Sequence, residues 1–142
     1  MTTIDTISDV ITRIRNANIL KLDRVELINT KVAIGICHIL KDRGFINSFG
    51  EFLNSSDRMS NRRFIQKYII VNLKYKGERR SPCIKELRRI SKPGRRVYVG
   101  YKNLHKTKGG IELFVLSTSK GLITDYTARE KGIGGELLFS IC

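Results

Sequence analysis

The stretch LFVLSTSKGLITDYTAREKGIGGELLFSI, residues 113–141, decides how the second half of the chain folds. Leu113 to Leu116 form an apolar run, which Ser117-Thr118-Ser119-Lys120-Gly121 interrupts with turn-forming residues. Thr124 or Asp125 can cap a short helix that Gly132 stops. Gly134-Gly135 then opens a last strand, residues 136–141. Strand, polar turn, short helix and strand in close succession predict a unit that is mostly β with one short helix.

Working outward, Val97, Tyr98 and Val99 read as another strand, preceded by a Pro93-Gly94 turn. A type II turn is expected there, with the glycine at positive φ. Residues Lys76-Gly77 to Arg79-Arg80-Ser81-Pro82 read as a linker, followed by apolar Ile84, Leu87 and Ile90. In the first half, Ile4, Ile7, Ile11 and Ile14 recur at helical spacing behind a cap at Thr3. Val25 and Leu27 alternate with Arg24 and Glu26 as a short strand. Thr30 caps a second helix whose buried side is Val32, Ile36, Ile39 and Leu40, ending at Gly44. Residues 45–52 and 64–75 read as two strands around the polar Asn54-Ser55-Ser56-Asp57. The predicted class is α+β in two small domains: residues 1–76 as α-β-α-β-β with both helices on one face of the sheet, and residues 77–142 as the β-rich part.

The chain of 142 residues carries 27 Lys and Arg against 13 Asp and Glu, a net charge of +14. The excess is not spread evenly. Residues 1–57 balance at 7 basic and 7 acidic, and residues 103–142 hold 5 against 4, whereas residues 58–102 hold 15 against 2. Solubility needs no such clustering, and a stretch of this kind repels itself without a counter-charge, so a polyanion is the expected partner. A clear amphipathic helix with an aromatic or leucine face is missing there, which disfavours a membrane surface. No run of about 18 apolar residues exists to span a bilayer. The N-terminus shows neither an apolar signal core nor an Arg- and Ser-rich transit pattern, so the chain is expected either to stay where it is made or to carry no conventional address.

Enzyme chemistry finds no foothold. His38 and His105 have no partner of the right kind nearby, and the glycines spell neither a P-loop nor a dinucleotide fingerprint. Cys37, Cys83 and Cys142 are far apart and form no C-x-x-C pair, so no disulfide framework, zinc site or other cofactor is expected. The hydroxyl run Ser117-Thr118-Ser119 suits a different task. Three hydroxyls donate and accept, matching ribose 2′-OH groups and base edges, while Lys120 supplies a phosphate charge and Gly121 permits close approach. An ordinary polar hairpin accounts for the same composition. Lys92, Arg95 and Arg96 around Pro93-Gly94 could clamp a phosphate, with Tyr98 beside them as a stacking ring or a packing residue.

At these residues the sequence resembles the small-subunit ribosomal protein S-eight family of bacteria and their organelles. The carriers are Ile90-Ser91-Lys92-Pro93-Gly94-Arg95-Arg96-Val97-Tyr98, Leu116-Ser117-Thr118-Ser119-Lys120-Gly121, Thr124-Asp125, Ala128-Arg129 and Gly132-Ile133-Gly134-Gly135-Glu136, with Thr12-Arg13-Ile14-Arg15-Asn16 near the start. The resemblance covers essentially the whole chain. It implies a primary rRNA-binding protein that organises the central domain of small-subunit rRNA among neighbouring ribosomal proteins, without cofactor, membrane or small-molecule substrate. A free-standing RNA-binding regulator that recognises a similar stem in a messenger is the alternative. Carried over, Ser117, Thr118 and Ser119 read the minor groove of a distorted stem, Lys120 and Gly121 support them, and Tyr98 and Glu136 flank them. The N-terminal contribution falls on Arg13, Arg15, Asn16, Thr30 and Lys31. The sequence departs from the family at Leu104-His105, Glu112, Tyr126 and Phe139-Ser140-Ile141-Cys142, none of them within the hydroxyl loop. With 19 isoleucines and 3 alanines the composition suits an AT-rich genome, and a plastid (chloroplast stroma) member is expected, a bacterial cytoplasm or a mitochondrion being the alternative.

Overall fold

The computed structural model describes residues 6–55, 65–103 and 112–142, and it is an α+β protein, as the sequence pattern predicts. Two compact units divide it: Thr12–Cys83, and Met1–Ile11 together with Ile84–Cys142. Against the expected boundary at residue 76, the first unit runs on through the predicted linker. That stretch is a folded hairpin, in which β4 (Tyr75–Lys76) pairs with β5 (Ser81–Pro82) around Gly77 at φ +74. Arg80 is ion-paired to Asp23 and stands 4.8 Å over the Tyr75 ring, whose hydroxyl donates to the Leu22 carbonyl.

In the first unit the order is helix, strand, helix, strand, strand. Helix α1 spans Thr6–Ile19, so the expected start at Thr3 and Ile4 lies outside the described residues. Its buried stripe is Val10, Ile11, Ile14 and Ala17, and the division between units falls within it. Strand β1 (Arg24–Ile28) leads to α2 (Lys31–Asp42), whose first turn is capped by Thr30 Oγ1 accepting from Ala33 N at 3.1 Å. The helix stops where Gly44 takes φ +77, with Phe45 N donating back to Leu40 O at 2.8 Å. Ala33, Ile36, Cys37, Ile39 and Leu40 are its buried side. Strands β2 (Ile46–Ser55) and β3 (Ile65–Leu73) complete an antiparallel sheet in the order β1-β3-β2. Asn54 and Ser55, expected in a loop, extend β2, because Asn54 pairs with Gln66 and Ser55 with Ile65. Leu27, Ile69, Val71 and Leu73 are buried at alternate positions, so the sheet has one core face.

The second unit centres on β10 (Gly135–Ile141), flanked by β6 (Leu87–Arg89) on one side and by β8 (Leu113–Thr118) and β9 (Gly121–Thr124) on the other. Short β7 (Tyr98–Val99) pairs with the first residues of β10. Helix α3 (Asp125–Lys131) follows β9 directly, capped by Thr124 and closed by Gly132 at φ 66. Ala128 on α3 and Leu116 on β8 form one buried cluster, against which Val99, Phe114, Ile123 and Leu137 pack, and Leu87, Val115, Phe139 and Ile141 are buried as well. Asp125 is buried because both its oxygens are used: one accepts from Phe114 N at 3.4 Å, the other from Arg129 Nη1 at 3.1 Å.

Candidate nucleic-acid interface

The register of the second sheet assembles a row that no sequence spacing shows. Tyr98 lies opposite Glu136, Glu136 opposite Ser117, and Ser117 opposite Leu122. Directly opposed residues share a face, so a tyrosine ring, a carboxylate and a hydroxyl stand side by side across β7, β10 and β8. Farther along β10, residues 138–141 are all buried, which leaves this end of the strand as the accessible one. Tyr98 is 71% exposed.

Gly134 and Gly135 make the row possible. A Cβ on Gly135 would stand 2.3 Å from Ser117 O, and one on Gly134 would stand 2.6 Å from Val99 O. Both contacts are with backbone, so only glycine lets β10 lie this close to its neighbours. A bulge between Leu137 and Phe139 then resets the pairing for the buried end.

Beside the row, the β8–β9 hairpin turns through Ser119 and Lys120, with Thr118 paired to Gly121 at φ +99. Thr118 Oγ1 donates to Gly121 O at 2.9 Å and accepts from Lys120 N at 3.2 Å. That hydroxyl therefore holds the turn. Ser117 and Ser119 make no hydrogen bond through their hydroxyls among the described residues, and Ser119 and Lys120 are exposed.

Across the row, Glu136 accepts from Arg96 Nη1 at 3.0 Å, its side chain 15% exposed and that of Arg96 46%. The carboxylate thus anchors a guanidinium at the edge of the hydroxyl face. Arg96 belongs to a protruding turn, residues 92–96, pinched at its base by Ser91. Ser91 is fully buried, and its Oγ accepts from Val97 N at 3.0 Å and donates to Val97 O at 3.3 Å. Lys92 and Arg95 bond each other's backbone, N to O, at 3.0 and 2.9 Å. Gly94 does not take the positive φ expected of it, so the turn is not type II. A proline at the second position suits types I and II alike, and a glycine at the third permits a positive φ without requiring it. Lys92 and Arg95 project from it, exposed.

The N-terminal candidates lie in the other unit. Arg13 Nη1 donates to Glu26 O at 3.3 Å, Arg15, Asn16 and Lys31 are exposed, and the Thr30 hydroxyl is occupied as the cap of α2. Sequence reasoning missed Ser91, whose one signal was a small polar residue directly after Ile90. Several cations of the basic stretch also have intramolecular work: Arg80 pairs with Asp23, Arg88 with Glu86, and Arg89 donates to the Ser91 carbonyl and to Ser8 Oγ.

Among the described residues no three His, Cys, Asp or Glu side chains gather as a metal site, and no helix is long and apolar enough to cross a membrane. Cys37, Cys83 and Cys142 are free thiols.

Compared with known proteins, residues 5–142 match the family described as Ribosomal protein S8. The chain is 50% identical over 141 residues to the small ribosomal subunit protein uS8c of Euglena gracilis, covering 99% of each protein. It is 47% identical over 134 residues to the uS8c of Gracilaria tenuistipitata var. liui, covering 94% of this chain and 95% of that one. With the uS8 of Trichodesmium erythraeum (strain IMS101) the identity is 46% over 134 residues, 94% of each.

Proposed function

Because the chain belongs to the ribosomal protein S8 family, a structural constituent of the small ribosomal subunit and not an enzyme, we propose that it binds a stem in the central domain of small-subunit rRNA through the Tyr98–Glu136–Ser117 row and the hairpin beside it. The observation that carries this reading is the register itself: three strands distant in sequence place a ring, a fixed carboxylate and hydroxyls on one accessible end of a sheet.

The chemistry divides by residue. Ser117 and Ser119 offer hydroxyls that both donate and accept, suited to ribose 2′-OH groups and base edges in the shallow RNA minor groove. Thr118 and Gly121 hold the turn that presents them. Tyr98 supplies a ring face for stacking. Glu136 repels phosphate, so its role is to fix Arg96 and to accept from a base amino or ribose hydroxyl group. Lys92, Arg95 and Lys120 meet phosphates, which position the RNA without reading it. Arg13, Arg15, Asn16 and Lys31 provide a second contact from the other unit, with Thr30 ordering the helix start that presents Lys31. The names of the uS8c relatives, chloroplast-type proteins, favour a small ribosomal subunit of the plastid stroma, where neighbouring ribosomal proteins complete the surroundings.

A salt titration tests the phosphate part. Log affinity for the stem falls linearly with log salt, and Lys120→Ala lowers the slope by about one phosphate contact, roughly 0.7–0.9 in the exponent. An unchanged slope contradicts the placement of Lys120 on the backbone.

A further inference from the structure

We infer that Arg89 is a positioning residue for RNA binding: its guanidinium meets no phosphate and instead sets the 92–96 turn through the buried carbonyl of Ser91. The inference rests on the reading of that turn as part of the RNA interface. It divides the basic stretch into cations that face the RNA and a cation that holds them in place.

Every polar group of Ser91 has a partner. Its N–H donates to Leu137 O at 3.2 Å and to Leu138 O at 3.3 Å, where β10 bulges. Its hydroxyl bonds both the N–H and the carbonyl of Val97, at the far end of the turn. Its carbonyl accepts from Arg89 Nε. Ser91 is fully buried, so water does not stand in for any of these partners. The carbonyl matters most for the turn. It shares one rigid peptide plane with Lys92 N–H, and that N–H closes the turn by donating to Arg95 O at 3.0 Å. Fixing the Ser91 carbonyl therefore aims the bond on which the turn depends.

The place of Arg89 in the sheet suits it to this work. It lies opposite Phe139 on β10, and Phe139 lies opposite Val115 on β8, both fully buried. Directly opposed residues share a face, so the Arg89 side chain leaves the sheet beside apolar groups, and the residue is half-buried. One nitrogen of its fork serves Ser91, and another, Nη1, donates to Ser8 Oγ on α1 at 3.2 Å. To reach a phosphate the guanidinium must give up both bonds, one of them to a buried carbonyl. Lys92 and Arg95 differ: both are exposed, and it is their backbone atoms that close the turn. Their side chains are left at the surface, where phosphates approach.

Two substitutions in the full chain separate the donor from the charge. In Arg89→Lys a methylene takes the place of Nε, so the charge stays and the bond to Ser91 is lost. In Arg89→Gln the amide nitrogen stands where Nε stood, so a donor stays and the charge is lost. Positioning predicts about a tenfold loss of affinity for the cognate stem in Arg89→Lys, with a smaller loss for an unrelated duplex. It predicts that Arg89→Gln binds within about threefold of the parent with an unchanged salt slope. A phosphate contact predicts the reverse order, with the Arg89→Gln slope lowered by about 0.7–0.9. Hydrogen exchange of the free protein gives a reading without RNA. The Val97 amide, bonded to Ser91 Oγ, is expected to exchange about tenfold faster in Arg89→Lys. The Ile133 amide of the same unit, bonded to Ala128 O, is expected to keep its rate, which also reports that the variant is folded. Should Arg89→Lys not fold, Ser8→Ala removes only the outer anchor and is expected to shift stem affinity and Val97 exchange by about threefold. A larger loss in Arg89→Gln than in Arg89→Lys, a lowered slope in Arg89→Gln, unchanged stem affinity in Arg89→Lys, or unchanged Val97 exchange overturns the inference. Failure of the interface reading is seen with substitutions in the hairpin, none of which involves Arg89, so the two failures are distinguishable.

Discussion

Two rows, Ile28–Tyr68–Phe52 on the first sheet and Tyr98–Glu136–Ser117 on the second, cross three strands at a single register and lie where the sheet is accessible. The row of the second sheet is polar and held from several directions: Glu136 by Arg96, the turn behind it by Ser91, the strands by two glycines. The row of the first sheet is apolar and held only by the stacking of its own rings. A hydroxyl reader must place single atoms within hydrogen-bonding tolerance, so its support is rigid. The apolar row carries no such hydrogen-bonding geometry to hold. The difference predicts how each row answers to substitution.

The largest effect is expected at the glycines. Gly135→Ala places a methyl 2.3 Å from the Ser117 carbonyl, and neither backbone can give way without parting β10 from β8. A loss of about 3 kcal/mol in unfolding free energy is expected by chemical denaturation, at the upper end for an overpacked site. Gly50→Ala meets only the tip of the Phe52 ring at 3.0 Å, which can swing aside, and is expected to cost less than about 1 kcal/mol. Equal costs would erase the distinction between a rigid row and a tolerant one.

A smaller effect is expected at Ser91→Ala. This removes the acceptor for Val97 N–H and a donor to Val97 O in a fully buried place. An unsatisfied buried group costs about 1–3 kcal/mol, and the loosened 92–96 turn should weaken binding to the cognate stem more than to an unrelated duplex. If both RNAs weaken alike, the turn does not serve the polar row specifically.

Smallest is the thiol contrast. Cys37 is sealed in the core of the first unit, and burial pushes its thiol from 9.0 up to about 12. The unfolded thiol ionises first, so its contribution to stability is complete below about 9 and is lost as the pH rises towards about 12. At pH near neutrality, alkylation should modify half-buried Cys83 and Cys142 well before Cys37. Mass spectrometry of the alkylated chain checks that order, and fast labelling of Cys37 would show an open core.

Local signals in the sequence reach as far as local causes do. The α1 stripe at Ile11 and Ile14, the caps at Thr30 and Thr124 and the stop at Gly132 each depend on neighbours within a turn or two, and each was readable. The stretch 76–82 was not, because its contacts to Asp23 and Leu22 reach back 57 and 53 residues. The hydroxyl run was visible, but not that Thr118 spends its hydroxyl on the turn. Least visible was the row itself. Tyr98, Glu136 and Ser117 meet only through strand register, and that register depends on glycines whose purpose shows once the backbones they separate are in place.

The central claim is that the hydroxyls of the hairpin read a particular RNA and do not merely decorate a basic surface. The most direct measurement compares the double variant Ser117→Ala, Ser119→Ala with the parent, on the cognate stem and on an unrelated duplex across several salt concentrations. Two hydrogen bonds at about 0.5–1.5 kcal/mol each, more where a partner is left buried, predict a roughly tenfold or greater loss for the cognate stem. Binding to the unrelated duplex and the salt slope should both stay as they are, since no charge is removed. If the variant loses both RNAs equally, or neither, the hairpin is only a turn and the claim fails.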